Sequence, residues 1–273
     1  MQTGTLITLA LYFLLMIGIG LFAWKRSTDT SEGYMLAGRN LHPAVAALSA
    51  GASDMSGWLL LGLPGALYAA GLVEAWIGIG LFVGAVANWI IVAPRLRQQT
   101  EELGNALTIP EFLANRFPDK AVALRVISAL IVVVFFAVYT AAGLVGGGKL
   151  FETSFASLFG DIGMSDYMLG IWITALVVLA YTMVGGFLAV SLTDFVQGLI
   201  MVVALAVMPL VVMFGEGGSA GGSLTDVPVD GFLSLTNGLT LIGFISAVTW
   251  GLGYFGQPHI IVRFMAIDTV AKV

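Results

Sequence analysis

The sequence predicts an all-α membrane protein with seven transmembrane helices. Apolar residues make up 59% of its 273 positions and charged residues only 10%, and the mean hydropathy is +0.99. A soluble domain carries about 25% charged residues. The expected partner is therefore a lipid bilayer. The net charge is −5 and no basic cluster is present, so nucleic acid is excluded as a partner. Cysteine is absent, which excludes disulfides and thiolate metal sites.

Seven apolar segments have about the length that a crossing helix needs, which is ~20 residues. In chain order they are Leu6–Trp24, Ala44–Val73, Ala75–Ala93, Val122–Gly148, Tyr167–Val184, Leu188–Phe214 and Phe232–Val262. The second and the last are the longest, and Gly and Pro interrupt both. The first run has no positive residues before it, so it reads as a retained span rather than a cleaved signal peptide.

The distribution of Lys and Arg predicts the orientation of these helices, because both favour the cytoplasmic side. With the N-terminus outside, every basic residue except Lys149 falls on the inner side. We therefore expect an N-out, C-in topology. Between Pro94 and Lys120, Thr108 precedes a proline and Glu111, which is typical of a capped helix start. We expect a short amphipathic surface helix there, with a simple connector as the alternative.

Asp54 is the most informative residue of the second segment, in which no Lys, Arg or His lies between Pro43 and Glu74. A charge near the bilayer centre costs at least ~2.5–3.5 kcal/mol, so it normally faces a polar cavity, pairs with a distant helix or handles an ion. The neighbours of Asp54 are small, and Gly51 and Gly57 permit a bend. A helix that breaks here exposes backbone carbonyls to a cation such as Na⁺. The alternative is a packing face of small residues, but the carboxylate favours the break.

The last segment predicts a second break in the stretch Trp250-Gly-Leu-Gly-Tyr-Phe-Gly-Gln-Pro258. Glycine and proline both disfavour a helix interior. Trp250 and Tyr254 lie four residues apart and well inside the segment, which favours the wall of a solute pocket over an interfacial belt. The second and last segments cross in opposite directions. Corresponding interrupted helices in two inverted halves are typical of a transporter binding site.

Three further residues have open interpretations. Tyr139, in the fourth segment, either closes a pocket or bonds across a helix pair. Asp194, at the start of the sixth, is first interpreted as a capping acid, with an inner ion path as the second interpretation. Arg39, in the first inner loop, is an anchor or a gate.

Other classes of function lack their motifs. The chain has no His-Glu-x-x-His, no Walker loop and no second aspartate in a Gly-x-Gly-Asp context, so enzyme activity and ATP-driven transport have no support. A channel is the least favoured alternative, because no filter sequence is present.

Several of these stretches resemble the sodium/solute symporter family, in its proline-type branch. They are Ala47–Ala66, Gly185–Asp194, Trp250–Ile260, Arg263–Ala266 and Gly38-Arg39. The resemblance runs along essentially the whole chain. It implies an inverted five-plus-five helix fold with broken helices and one extra helix in front. Residues 1–43 would hold the extra helix and loop, 44–214 the first repeat, 215–231 a flexible outer loop, and 232–273 the first helix of the second repeat.

Family members are about twice as long as this chain. The resemblance therefore implies an N-terminal portion, whose partners include the missing C-terminal helices of the same transporter. One of those helices would supply the Ser or Thr hydroxyls of the sodium site, and this portion is not expected to transport alone.

The resemblance also implies roles for individual residues. The carbonyls of Ala52 and Met55 would bind Na⁺, and Asp54 would be essential for ion coupling. The proline pocket would comprise Asp54, Gly57, Trp58, Tyr139, Trp250, Tyr254 and Pro258. Asp194 would lie by the inner ion path, and Arg39 would gate the cytoplasmic side.

The expected function is sodium-coupled import of proline across the bacterial inner membrane. The alternatives are a sodium symporter for another small solute and a membrane sensor domain that does not transport.

Overall fold

The computed structural model describes residues 2–27, 29–155, 163–214 and 230–273. The helices are α1 (Gln2–Ser27), α2 (Ser31–Leu36), α3 (Pro43–Asp54), α4 (Leu63–Ala70), α5 (Ala75–Ile91), α6 (Ala93–Glu102), α7 (Ile109–Arg116), α8 (Ala121–Phe155), α9 (Asp166–Phe214), α10 (Leu241–Thr249) and α11 (Pro258–Ala266). A π-helical turn, Trp58–Gly62, leads into α4, and a 3-10 helix, Trp250–Phe255, follows α10. Other 3-10 turns are Ala37–Arg39, Leu72–Glu74, Pro118–Lys120 and Val270–Lys272.

The described chain contains four helical stretches that are long and apolar enough to cross a membrane. They are Leu6–Arg26, Leu72–Glu102, Pro118–Phe155 and Asp166–Phe214. The pair Pro43–Asp54 and Trp58–Ala70, bent by 70°, makes a fifth if it is one broken span. Large apolar side chains along α8 and α9, such as Phe135 and Met208, are exposed, as a lipid-facing surface requires. The predicted class, an all-helical protein with several membrane helices, is confirmed.

The fifth and sixth predicted segments form the single helix α9, which is kinked at Gly186. This helix has 49 residues. At about 1.5 Å per residue, it is more than twice as long as the ~30 Å hydrocarbon core of a bilayer is thick. Gly186 has φ +59° and ψ −153°, and a Cβ there would lie 2.6 Å from the carbonyl oxygen of Tyr34. Both the positive φ and the close approach require glycine. The kink lies in the predicted gap between the two segments.

The last predicted segment begins later than expected. The helix starts at Leu241 and not at Phe232, because residues 230–240 form turns. Gly231 and Gly238 both have positive φ, and Thr240 caps α10 by accepting a hydrogen bond from the amide of Gly243 at 3.0 Å. Most of the predicted outer loop, residues 215–229, lies outside the described residues.

The loop between α5 and α8 contains the predicted short helix, α7. Thr108 caps it by accepting a hydrogen bond from the amide of Glu111 at 3.2 Å, and the Glu111 carboxylate accepts one from the amide of Leu107 at 2.8 Å. This arrangement is similar to a capping box, except that Glu111 accepts from the residue before the cap and not from the cap itself. Helix α6, which follows α5 directly, was not predicted. The loop is therefore more helical than a connector.

Helix packing places the two interrupted helices side by side. Helix α1 packs on α9 through Gly20, where a Cβ would lie 2.9 Å from Cβ of Tyr181. Helix α9 also contacts α3, and α11 packs against α3 and α6. The most buried core surrounds the end of α11, where Phe264 and Met265 are fully covered. This packing brings residues of α3, α9 and α11 into one polar cluster.

Candidate functional site

The first break lies at Met55 and Ser56. Helix α3 ends at Asp54, and Met55 leaves the helical region with ψ 77°. The amide of Met55 donates to the carbonyl of Ala52 at 3.3 Å, and that of Ser56 donates to the carbonyl of Asp54 at 2.6 Å. These bonds join residues three and two positions apart, whereas the bonds of an α-helix join residues four positions apart. The predicted break is confirmed, but it is shorter than expected because α3 continues through Gly51.

The second break follows Thr249. The α-helix tightens into the 3-10 helix Trp250–Phe255, and Gln257 is extended at φ −76°, ψ 108°. Pro258 then occupies the first turn of α11, where a missing N–H costs nothing. The predicted discontinuity in this stretch is confirmed.

A hydrogen bond joins the two breaks. The hydroxyl of Tyr254, in the second break, donates to Oδ2 of Asp54, at the first. Among the described residues, no basic side chain lies within ion-pair distance of Asp54. An ionised carboxylate has about four acceptor positions. One hydroxyl donor therefore leaves the carboxylate able to bind a cation.

Aromatic residues surround these breaks. The Tyr139 hydroxyl donates to the carbonyl of Ser53 at 3.0 Å, so Tyr139 does bond across a helix pair, beside the break in α3. The rings of Trp58 and Trp250 lie 4.7 Å apart between centroids, tilted by 36°. This tilted aromatic contact connects the two interrupted helices a second time.

Some of the predicted pocket residues line separate cavities in the structure. Pro258 lines a cavity of about 560 Å³ on the side of α8, together with His259. Trp250 lines a separate opening of about 320 Å³, together with Glu74. The backbone at Gly57 is helical. A Cβ added to Gly146 of α8 would lie 3.8 Å from Cα of Gly57. The central group therefore consists of the breaks, Tyr139 and the tryptophan pair.

Asp194 does not cap a helix, so the first interpretation of this residue was wrong. It lies inside α9, beyond the kink, and its Oδ2 accepts three hydrogen bonds. The donors are Ser49 Oγ at 2.7 Å, Ser53 Oγ at 2.9 Å and Arg263 Nη2 at 2.9 Å. The physical reason is that α9 continues through this position, so its amides are already bonded within the helix.

Arg263 is the site residue that sequence reasoning missed. It is 5% exposed, and it also donates to Ser49 Oγ at 3.0 Å, to Ser53 Oγ at 2.5 Å and to the carbonyl of His259. Its position among the apolar residues of Ile260–Met265 could have identified it from the sequence, because a cation there needs a buried partner. Ser53 links this ion pair to the break, since its carbonyl binds Tyr139.

Arg39 is buried, with 6% exposure, and holds the end of α11. It donates to the carbonyls of Met265 and Ala106 at 2.8 Å each, to Asn105 Oδ1 at 2.8 Å and to Thr100 Oγ1 at 3.2 Å. Burial lowers the pKa of the Arg39 guanidinium from its ordinary value. The fixed contacts support the anchor interpretation.

Three neighbouring hydrogen bonds, from Leu41 and Arg97, extend this anchor along the chain. The amide of Leu41 donates to the carbonyl of Ala266 at 3.0 Å, and Arg97 donates to the carbonyls of Ile267 at 2.6 Å and Asp268 at 2.9 Å. The last carbonyls of a helix have no partner within the helix. Here Arg39, Leu41 and Arg97, from segments distant in sequence, supply partners for carbonyls at the end of α11 and just beyond it.

Substituting Arg39 tests the anchor. We expect Arg39→Lys to lower the free energy of unfolding by about 2 kcal/mol, because Lys keeps the charge but loses the planar set of donors. Denaturant unfolding of the protein in detergent measures this. Arg26→Lys, at an exposed position, is the matched control and should change stability by less than about 0.5 kcal/mol. Equal stability of Arg39→Lys and wild type would contradict the anchor.

Two interrupted membrane helices that meet at a buried polar centre are typical of secondary transporters. The model of the sodium:solute symporter family matches residues 34–273, and the chain belongs to this family. The family is one of transporters and not of enzymes.

Relatives agree with this assignment. The chain is 54% identical over 260 residues to the high-affinity proline transporter PutP of Bacillus subtilis (strain 168), covering 94% of this chain and 53% of the relative. It is 51% identical over 269 residues to the sodium/proline symporter of Staphylococcus aureus (strain JH9), and the match covers 97% of this chain and 50% of the relative. The chain thus spans about half the length of the curated relatives that it matches.

Proposed function

We propose that the full-length protein containing this chain imports proline together with Na⁺ across the bacterial inner membrane. The bond between Tyr254 and Asp54 carries the proposal, because it joins the two interrupted helices at an acid that has no basic partner among the described residues. The names of relatives that are more than half identical to the chain support proline as the solute and Na⁺ as the ion.

We assign the Na⁺ site to the break in α3. The carbonyls of Ala52 and Met55 lie where the backbone leaves the helix, and the bond that Ala52 accepts there is long, at 3.3 Å. Asp54 supplies the negative charge. Further oxygen ligands would come from the part of the relatives' length that this chain does not cover. Each Na⁺ that enters contributes ~2.3 kcal/mol per 100 mV of membrane potential.

Proline would bind beside this ion, against the aromatic groups of both breaks. The proposed pocket consists of Asp54, Gly57, Trp58, Tyr139, Trp250 and Tyr254. Pro258, which was predicted with them, lines a separate cavity in this structure. Tyr254 belongs to one broken helix and bonds to the acid of the other, so occupancy of either site affects the geometry of the other. Such differential contacts make the binding of ion and solute mutually favourable.

The topology that we propose has seven crossings, with the N-terminus outside. The kink at Gly186 divides α9 into two helices, and the bent pair α3–α4 and the stretch α10–α11 supply two broken crossings. In this arrangement Asp194 lies on the inner ion path below the break, and Arg39 lies at the cytoplasmic end, where movement of α11 would open or close the route. Residues 44–214 would form the first five-helix repeat.

Uptake of radiolabelled proline into proteoliposomes tests the proposed function. We expect the full-length protein to accumulate proline under an inward Na⁺ gradient and not under an equal K⁺ gradient. Accumulation of another solute in preference to proline would identify a different substrate. Na⁺-dependent binding without accumulation would indicate a sensor. Proline uptake that is equal in Na⁺ and K⁺ would refute sodium coupling.

A further inference from the structure

One face of α5 lies directly on the second break. Its buried residues recur at helical spacing and include Gly80, Gly84 and Asn88. A Cβ on Gly80 would lie 2.6 Å from Cα of Val248, and one on Gly84 would lie 2.2 Å from the carbonyl oxygen of Gly251. Both distances are impossible for a side chain, so the two backbones touch. Helix α5 is therefore the element against which the Trp250–Phe255 helix is fixed.

Asn88 ends this contact face with a polar contact. Its Nδ2 donates to the carbonyl oxygen of Tyr254 at 3.0 Å, and Asn88 is 1% exposed. The hydroxyl of the same Tyr254 donates to Asp54 on α3. Tyr254 is thus held twice, at its backbone by α5 and at its side chain by the acid of the first break.

The oxygen of the Asn88 amide, Oδ1, lies in an unfavourable position. Within the described part of the chain, Oδ1 of Asn88 is buried and accepts no hydrogen bond. A buried acceptor without a partner is unfavourable. An apolar side chain such as Leu would fill this space without that cost, so packing does not account for the amide. The hydrogen bond that Asn88 donates to Tyr254 accounts for an amide at this position.

We propose that Asn88 is a positioning residue for coupled transport, which holds the Tyr254 backbone so that the hydroxyl stays on Asp54. The inference rests on the proposed function for its role in coupling. Within the described residues, the Asn88 side chain forms its hydrogen bond with Tyr254 and none with Asp54, Ala52 or Met55, so it acts through Tyr254. Loss of its donor frees the 3-10 helix to move away from the first break.

Kinetics of the full-length protein test the role in coupling. We expect Asn88→Leu to raise about 10-fold the Na⁺ concentration that gives half-maximal proline uptake, with a smaller change in the maximal rate. Asn88→Gln keeps an amide donor and should recover most of the affinity. Val83→Ala, at an exposed position of the same helix, is the matched control and should resemble wild type.

Hydrogen–deuterium exchange of the same variants tests the holding contact without transport. Peptides covering residues 250–257 should exchange several-fold faster in Asn88→Leu than in wild type or Asn88→Gln. Wild-type exchange together with wild-type Na⁺ dependence in Asn88→Leu would overturn the proposal. A loss of folded protein that is equal in Asn88→Leu and Asn88→Gln, with an unchanged Na⁺ requirement, would also overturn it. If wild type shows no Na⁺-dependent uptake, the proposed function fails, and the exchange result still decides the contact.

Discussion

Replacing Asp54 by Asn abolishes Na⁺-dependent proline uptake by the full-length protein, with an expected loss of more than about 100-fold. Asn keeps the size of the side chain and accepts the Tyr254 hydroxyl, but it carries no charge. The cation then meets only neutral oxygens at the break. Initial rates of radiolabelled proline uptake under a Na⁺ gradient measure the effect, with the amount of membrane protein determined in parallel.

The matched control for this substitution is Asp119→Asn. Asp119 is exposed, in the 3-10 turn that precedes α8. We expect uptake by this variant to equal that of wild type. Wild-type Na⁺ dependence in Asp54→Asn would show that the charge of Asp54 takes no part in ion binding, and the assignment of the site would then be wrong.

Removing Arg263 has the largest expected effect on stability. Arg263→Met leaves Asp194 buried without its cation, which typically costs about 3–5 kcal/mol. The double variant Arg263→Met, Asp194→Leu removes both charges, and we expect it to be more stable than Arg263→Met alone. Unfolding of the purified protein in detergent, followed by loss of its helical signal, measures both.

The control for the ion pair is Lys272→Met. Lys272 pairs with Asp268, and both side chains are partly exposed. Exposed pairs contribute about 0–1 kcal/mol, so stability should hardly change. If Arg263→Met were as stable as wild type, or if the double variant were less stable than each single variant, the buried pair would not be a structural element of the site.

The breaks could be predicted from local sequence because their causes are local. Asp54 among small residues, and three glycines before Pro258, disfavour a continuous helix whatever surrounds them. The start of α10 was misplaced for a local reason as well. The turn at Gly238 lies in a stretch that was predicted as part of the apolar segment, and the hydrophobic pattern hid the turn signals.

The polar contacts between helices could not be predicted in the same way. The ion pair of Asp194 and Arg263 joins residues 69 positions apart, and the bond from Asn88 to Tyr254 spans 166. Only the packing of α3, α5, α9 and α11 brings these groups together. For Asp194, the capping interpretation depended on whether α9 continues, which the sequence around Gly186 left open.

The most direct test of the account is whether Na⁺ and proline strengthen each other's binding to the full-length protein. Reciprocity requires that saturating proline lower the Kd for Na⁺ by the same factor by which saturating Na⁺ lowers the Kd for proline. We predict a factor of about 5–150 in wild type and a factor near one in Asp54→Asn. A wild-type Kd for Na⁺ that is identical with and without proline would contradict coupling through the two broken helices.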